Sequence, residues 1–174
     1  MWEILKSQML AALATLNQCL ENWPDPTEVK SPPAGGEWDG AHADGPFSQW
    51  LFHALFYLDY YLSRDVEDFK AQQFHSEHRE LFRNYEELED KEQEETYTKD
   101  EIKTYIDFCR DKIERYFGDA NKRELLEKTV HRNMTVLELA INNTRHVQHH
   151  AAELGLYIEQ ITGKPLKWVS QGWT

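Results

Sequence analysis

The stretch Asn143-Thr144-Arg145-His146-Val147-Gln148-His149-His150-Ala151-Ala152-Glu153 decides the fold, because it lies inside a long run whose apolar residues recur at helical spacing. Four residues of helix rise about 6 Å, so His146 and His150 share one face, one turn apart, and their imidazoles can converge on one ion. An H-x-x-x-H pair is the two-ligand half of many helical metal sites. Spacing alone leaves a plainer alternative open, with His149 and His150 on the surface and His146 a satisfied core histidine. Two features weigh against it. His146 and His150 are in register with Leu139, Asn143 and Tyr157 on the apolar stripe, so both are expected to point inward. His53, the leading third ligand, shares a helical face with Trp50, Tyr57 and Tyr60 in a second apolar run, Phe47 to Leu62. Three histidines aimed into one core are costly unless their nitrogens find partners, and a divalent ion would supply one.

Outward from this stretch, the boundaries of its helix are written in the chain. Thr135-Val136-Leu137-Glu138 has the form of a capping box, and Gly163 and Pro165 are stop signals, so the helix is expected to run to about Thr162. Thr98-Lys99-Asp100-Glu101 is a second capping box, opening a helix to Phe117 with Ile102, Tyr105, Cys109, Ile113 and Tyr116 on its inner face and Gly118 at its end. Between these two helices, residues 121–130 are expected to form a short helical turn. At the N-terminus, Trp2, Leu5, Met9, Ala12, Leu16 and Cys19 or Leu20 recur every three or four residues, giving a helix over 2–22 that Pro24 and Pro26 stop. Pro46 opens the helix that carries His53, a favourable first-turn residue, and that helix is apolar around most of its circumference.

The four helices are joined by long connections. Residues 23–45 are rich in Pro, Gly and Asp, and Trp38 and His42 are candidates to cover one end of the fold, with a plain surface loop as the alternative. Residues 64–97 are dominated by charge. Within them Phe69, Phe74, Leu81, Phe82 and Tyr85 read as anchors on the surface of the helices, with some short helix within 76–92. His75 and His78 are three apart in polar surroundings, a weak candidate pair for a metal, and the acidic run from Glu86 to Glu95 reads as a solvated face. The tail, residues 164–174, holds Trp168 and Trp173 and is expected to dock on the protein. The pattern is all-α, a four-helix bundle with long crossover connections and a single domain over 1–174.

Composition narrows the functional classes. The chain has 174 residues and a net charge of −12, with no basic stripe, which argues against nucleic acid and anionic membrane surfaces as partners. No run is long and apolar enough to span a membrane, and no signal-peptide pattern opens the chain, so a cytoplasmic protein is expected. Two cysteines, Cys19 and Cys109, form no metal motif. Both fall at apolar positions, as buried thiols in a reducing compartment, with a disulfide between them as the alternative. There is no Gly-rich phosphate loop, no G-x-S-x-G and no Cys-His nucleophile pair.

One histidine, His53, in Trp50-Leu51-Phe52-His53 of the second helix, and His146-Val147-Gln148-His149-His150 in the last one, resemble the pattern of the DinB-like (DinB/YfiT-type) superfamily of metal-binding four-helix bundles. The resemblance runs from the first helix to about Gln160. It implies a divalent ion held by His53, His146 and His150, an open coordination side facing a cleft at one end of the bundle, and a homodimer. It places His149 beside the ligands, not among them. Some members use such a site for thiol transfer with a low-molecular-weight thiol, for isomerisation with a thiol cofactor, or for metal-assisted hydrolysis. A site of three neutral imidazoles suits zinc, and nickel or ferrous iron also accept it. A zinc-bound water can have its pKa lowered to about 7, and a bound thiol loses its proton, so a nucleophile can arise without a serine or cysteine from the protein. Asn143 and Glu153 are the favoured groups to orient the histidines, with His149 as a further candidate and Asp59 and Tyr57 also within helical reach. The aromatic surroundings predict an apolar pocket for a small organic substrate. Three functions stand side by side: a metal-dependent transferase or hydrolase, a non-catalytic metal-binding or stress-response protein, and a metal-free protein whose histidines pair with Glu138, Glu153 or Asp59.

Overall fold

The computed structural model describes residues 1–23, 47–82, 97–118 and 124–173, and these are all-α, with no strand among them. Four long helices dominate: α1 (Trp2–Glu21), α2 (Phe47–Tyr61), α5 (Lys99–Gly118) and α6 (Val136–Thr162). Two short helices, α3 (Val66–Lys70) and α4 (Gln73–Glu77), and a 3-10 turn at Arg79–Phe82 follow α2. The principal contacts pair α1 with α5 and α6, and α2 with α5 and α6. One core results, in which Leu13, Leu16, Leu51, Leu55, Leu58, Ile102, Ile106, Ile113, Val147 and Leu154 are fully buried. Each such side chain contributes about 1.5–3 kcal/mol relative to exposure.

Local chemistry sets the helix ends. The Thr135 hydroxyl accepts from the Glu138 backbone N–H at 3.2 Å while Glu138 accepts from the Thr135 N–H at 2.8 Å, the complete capping box. Thr98 and Glu101 repeat it at α5, at 3.2 and 2.7 Å. Each cap satisfies donors that a helix start leaves orphaned, worth about 1 kcal/mol. α6 stops where Gly163 takes a left-handed conformation at φ 69°, its N–H donating to the Glu159 carbonyl at 2.8 Å.

The segment after α2 goes further than expected. Phe69, Leu81 and Phe82 do anchor it on the helices, and they are buried in doing so, at 0%, 1% and 6% exposure. The chain folds back over α2 and α5 and builds an aromatic layer, with Phe74 stacked on Phe108 at 4.0 Å, Phe69 edge-on to Phe56 at 5.2 Å and Phe82 beside Phe52 at 5.9 Å. Those partners lie on other helices, so periodicity within the segment could not reveal them. Tyr85, the acidic run, Trp38, His42 and Pro46 lie outside the described residues.

Residues 124–135 differ as well. No helix forms over 124–130, where a single turn is closed by the Glu127 N–H on the Glu124 carbonyl at 3.1 Å; an isolated bridge joins Lys128 to Thr135, and the Thr129 N–H donates to the Met134 carbonyl at 2.9 Å. Arg132 and Asn133 close this turn with φ of 50° and 55°. The tail lies along α1. Gln18 donates to the Lys167 carbonyl and accepts from its N–H, Gly172 donates to the Ser7 carbonyl, and Val169 packs on Ala11 and Ala14. Trp173 stands under the Arg110 guanidinium at 5.3 Å, whereas Trp168 is 80% exposed. Gly155 admits Leu166: a Cβ there would stand 2.9 Å from Leu166 Cδ1. Cys19 and Cys109 are buried and free, and burial pushes the Cys19 thiol up to about 12. No helix among the described residues is long and apolar enough to cross a membrane.

Candidate metal centre

α2 and α6 pack side by side, and this contact assembles the histidines. The buried spine of α6 is Val136, Ala140, Asn143, Val147, Ala151, Leu154 and Ile158. His146 and His150 each precede a spine residue, so they sit on the flank of the stripe, half-buried, rather than pointing into the middle of the core as their register suggested. His53 and its face-mates Trp50, Tyr57 and Tyr60 are likewise half-buried, because Leu51, Leu55 and Leu58 take the centre of α2. The two flanks meet along a seam that opens to solvent.

Across that seam the three rings converge. Centroid separations are 5.3 Å for His53 and His146, 4.8 Å for His53 and His150, and 4.6 Å for His146 and His150. One nitrogen of each lies within 4.8 Å of the others. Nε2 of His150 stands 3.1 Å from Nε2 of His146. Two nitrogens bound at about 2.0–2.1 Å to one ion stand about 3 Å apart, so this pair already has the spacing of two ligands.

The surroundings favour a neutral imidazole at His146 and orient the ring of His150. Burial, aided by His150, His149 and Arg132, pushes the protonation of His146 down to about 4. Its Nδ1 is buried with no hydrogen-bond partner among the described residues. Nδ1 of His150 lies 3.0 Å from Glu153 Oε2. A proton held there by the carboxylate leaves Nε2 as a lone pair facing His146. The other Glu153 oxygen meets Nε2 of His149 at 3.2 Å, so one carboxylate spans both neighbours. His149 itself is exposed, and it forms with His150 and Glu153 a second group of ligand-type atoms. Tyr57 lies against His53 and His146, with ring centroids 4.8 and 5.5 Å away.

Asn143 takes a different place from the one expected of it. It is buried, and its Nδ2 donates to the Leu58 carbonyl at 3.1 Å, tying α6 to α2 one turn from the histidines. Asp59 is also elsewhere. It is fully buried on the far side of α2, accepting from Tyr105 at 2.9 Å, meeting His75 Nε2 at 2.7 Å, and pairing with Lys112, whose ammonium also donates to the Asp59 carbonyl and to Ser63. Burial raises the Asp59 pKa, but the His75 hydrogen bond and the Lys112 charge outweigh it and hold the carboxyl below its usual value. His75 is therefore a buried partner of Asp59, not half of a pair in polar surroundings; His78 packs on Phe74 at 4.5 Å instead. Glu138 is engaged in its capping box.

Protein-family models, curated proteins and solved structures were compared with the chain, and none of them matches it.

A cavity of about 540 Å³ adjoins the trio, lined by His53, His146 and His149 together with Tyr57, Tyr61, Asn142, Gln148 and two arginines, Arg132 and Arg145. This lining joins the Tyr57 and Tyr61 rings, in keeping with the aromatic pocket that the sequence suggested, to amide and guanidinium groups that it did not suggest. Arg145 carried a signal, since it lies between Asn142 and His149 on one face of α6. Arg132 carried none, because it reaches the cavity from the turn before the helix.

Proposed function

We propose that the chain is a DinB-like four-helix bundle with long crossovers, in which His53, His146 and His150 hold one divalent metal ion for a metal-dependent reaction on a small molecule, of thiol-transfer or hydrolytic type. The observation that supports the reading most is the 3.1 Å approach of the His146 and His150 Nε2 atoms, with His53 beside them and a cavity lined by His53 and His146. Zinc, nickel and ferrous iron suit the donor set. A bound ion would act as a Lewis acid that makes a water or a low-molecular-weight thiol nucleophilic near neutral pH. The chain's own residues would do the rest. Glu153 holds the His150 proton on Nδ1, Tyr57 walls the site against His53 and His146, and the cavity admits the substrate from solvent.

Catalysis is favoured over a purely structural ion because two of the three histidines, His53 and His146, border a cavity instead of lying sealed in the core. The DinB-like reading also carries a homodimer; Ile141 and Leu156, at 44% and 47% exposure on α6, are apolar surface available to it. Two buried free thiols fit a reducing, cytoplasmic setting.

The test is the metal content of tag-free protein beside a His150→Ala variant, by elemental mass spectrometry. One ion per chain in the parent and little in the variant is the expected result. Equal content in both would refute the site. A screen of the metal-loaded protein with thiols and electrophiles then separates turnover from simple retention of the ion.

A further inference from the structure

The cavity beside the histidines holds an arrangement that neither the metal nor the packing requires. In a chain with 31 acidic and 19 basic residues, its lining contains two arginines and no carboxylate. Neither guanidinium meets a carboxylate within salt-bridge distance among the described residues, whereas Arg64 and Arg110 each pair with an aspartate. The arginines come from different elements. Arg145 is on α6, where Asn142, Arg145, His146 and His149 follow one helical face into the cavity. Arg132 comes from the turn that precedes α6.

That turn is built to hold Arg132 in place. Arg132 and Asn133 both adopt φ near +50°, a conformation non-glycine residues take only at an energetic cost, so their surroundings must hold them there. The holding contacts are visible. His131, immediately before, is buried, with Nε2 2.8 Å from the Ser63 carbonyl and its ring against Tyr60 at 4.7 Å. The Met134 N–H donates to the His131 carbonyl at 3.0 Å. The Arg132 guanidinium then lies over the Tyr61 ring at 5.8 Å, which restricts its swing.

We propose that Arg132 and Arg145 form an oxyanion-binding subsite, and that the molecule taken by this cavity is a small organic anion whose carboxylate or phosphate the two guanidinium forks receive. A planar fork with several N–H donors matches both groups in a way that a lysine ammonium does not. Asn142 and Gln148 add amide groups in the same lining. The inference deepens the metal-dependent reading, because it orients the anionic end of a substrate toward the arginines and leaves its other end for the histidines.

The experiment titrates benzoate, phenyl phosphate and the neutral benzamide into the full-length protein by calorimetry, metal-free and zinc-loaded, alongside Arg132→Gln and Arg145→Gln. Both arginines are exposed, so the variants should fold as the parent does, checked by circular dichroism. The expected result is at least tenfold tighter binding of one or both anions than of benzamide, falling below threefold in each variant. Benzoate and phenyl phosphate separate a carboxylate preference from a phosphate one. Equal binding of all three, or a preference that survives both substitutions, overturns the subsite. The metal-free titration keeps this outcome apart from that of the ion. Anion preference with no zinc bound refutes the metal site alone, and zinc bound with no arginine-dependent preference refutes the subsite alone.

Discussion

Lys112→Met isolates the buried polar cluster that sits behind the candidate site. Lys112 is 10% exposed at its side chain and Asp59 is 0%. All three ammonium protons have acceptors: Asp59 Oδ1, the Asp59 carbonyl at 2.9 Å and Ser63 Oγ at 2.7 Å. The substitution keeps most of the stem volume and removes the charge, leaving the carboxylate buried without its cation. Breaking a buried pair in this way costs about 3–5 kcal/mol. Asp59 retains Tyr105 at 2.9 Å, His75 at 2.7 Å and the Gln72 amide at 3.3 Å, which argues for the lower end, about 3 kcal/mol. For a domain of this size that is a fall in Tm of about 6–12 °C. Urea unfolding at pH 7, followed by circular dichroism, gives the value directly. Lys103→Met is the control, because its pair with Asp107 is 44% and 41% exposed, and surface pairs contribute about 1 kcal/mol or less. Adding Asp59→Asn to Lys112→Met removes the stranded charge and should return part of the loss. A loss under about 1 kcal/mol for Lys112→Met, no larger than the control, would show that the Asp59 carboxylate does not depend on the ammonium.

Three further outcomes follow from particular contacts. Glu153→Gln should weaken zinc binding about 10–100-fold in competition with a chromogenic chelator, since it removes the charge that orients His150, whereas His149→Ala should change it little; unchanged affinity in Glu153→Gln would remove Glu153 from the site. The Asp59 carboxyl is held below its ordinary value of about 3.9, so its stabilisation is present above that pH and is lost as pH falls through the lower folded value. The stability gap between parent and Asp59→Asn should therefore be widest near neutrality and close only in acid, and a gap that does not change between pH 7 and pH 3 would contradict this. Gly155→Val places side-chain atoms where Leu166 Cδ1 now lies, so the tail should lift and tryptic cleavage after Lys167 should accelerate; parental cleavage rates would mean that Leu166 does not anchor it.

Much of the helical framework was legible in the chain because its signals are local. A capping box needs only residues three apart, and both Thr98/Glu101 and Thr135/Glu138 form one. Gly163 ends α6 because a left-handed residue favours glycine. The reading of 64–82 fell short, in depth of burial and in the place of His75, for the complementary reason. Phe69, Phe82 and His75 are buried by Phe56, Phe52 and Asp59 on another helix, so their own polar neighbours in sequence gave the wrong environment.

By itself, the sequence determined that His146 and His150 share one helical face, since that follows from 3.6 residues per turn and four-residue spacing. It could not determine how far those rings enter the core, because the rotation of α6 is set by Val147 and Ala151 packing against the other helices. Only the tertiary structure decided that His53 meets them across the α2–α6 seam, that Asp59 turns away to Lys112 and His75, and that Arg132 reaches the same cavity as Arg145. Each of these depends on residues brought together from separate elements, and the position of one helix against another is fixed by the packing of the whole core.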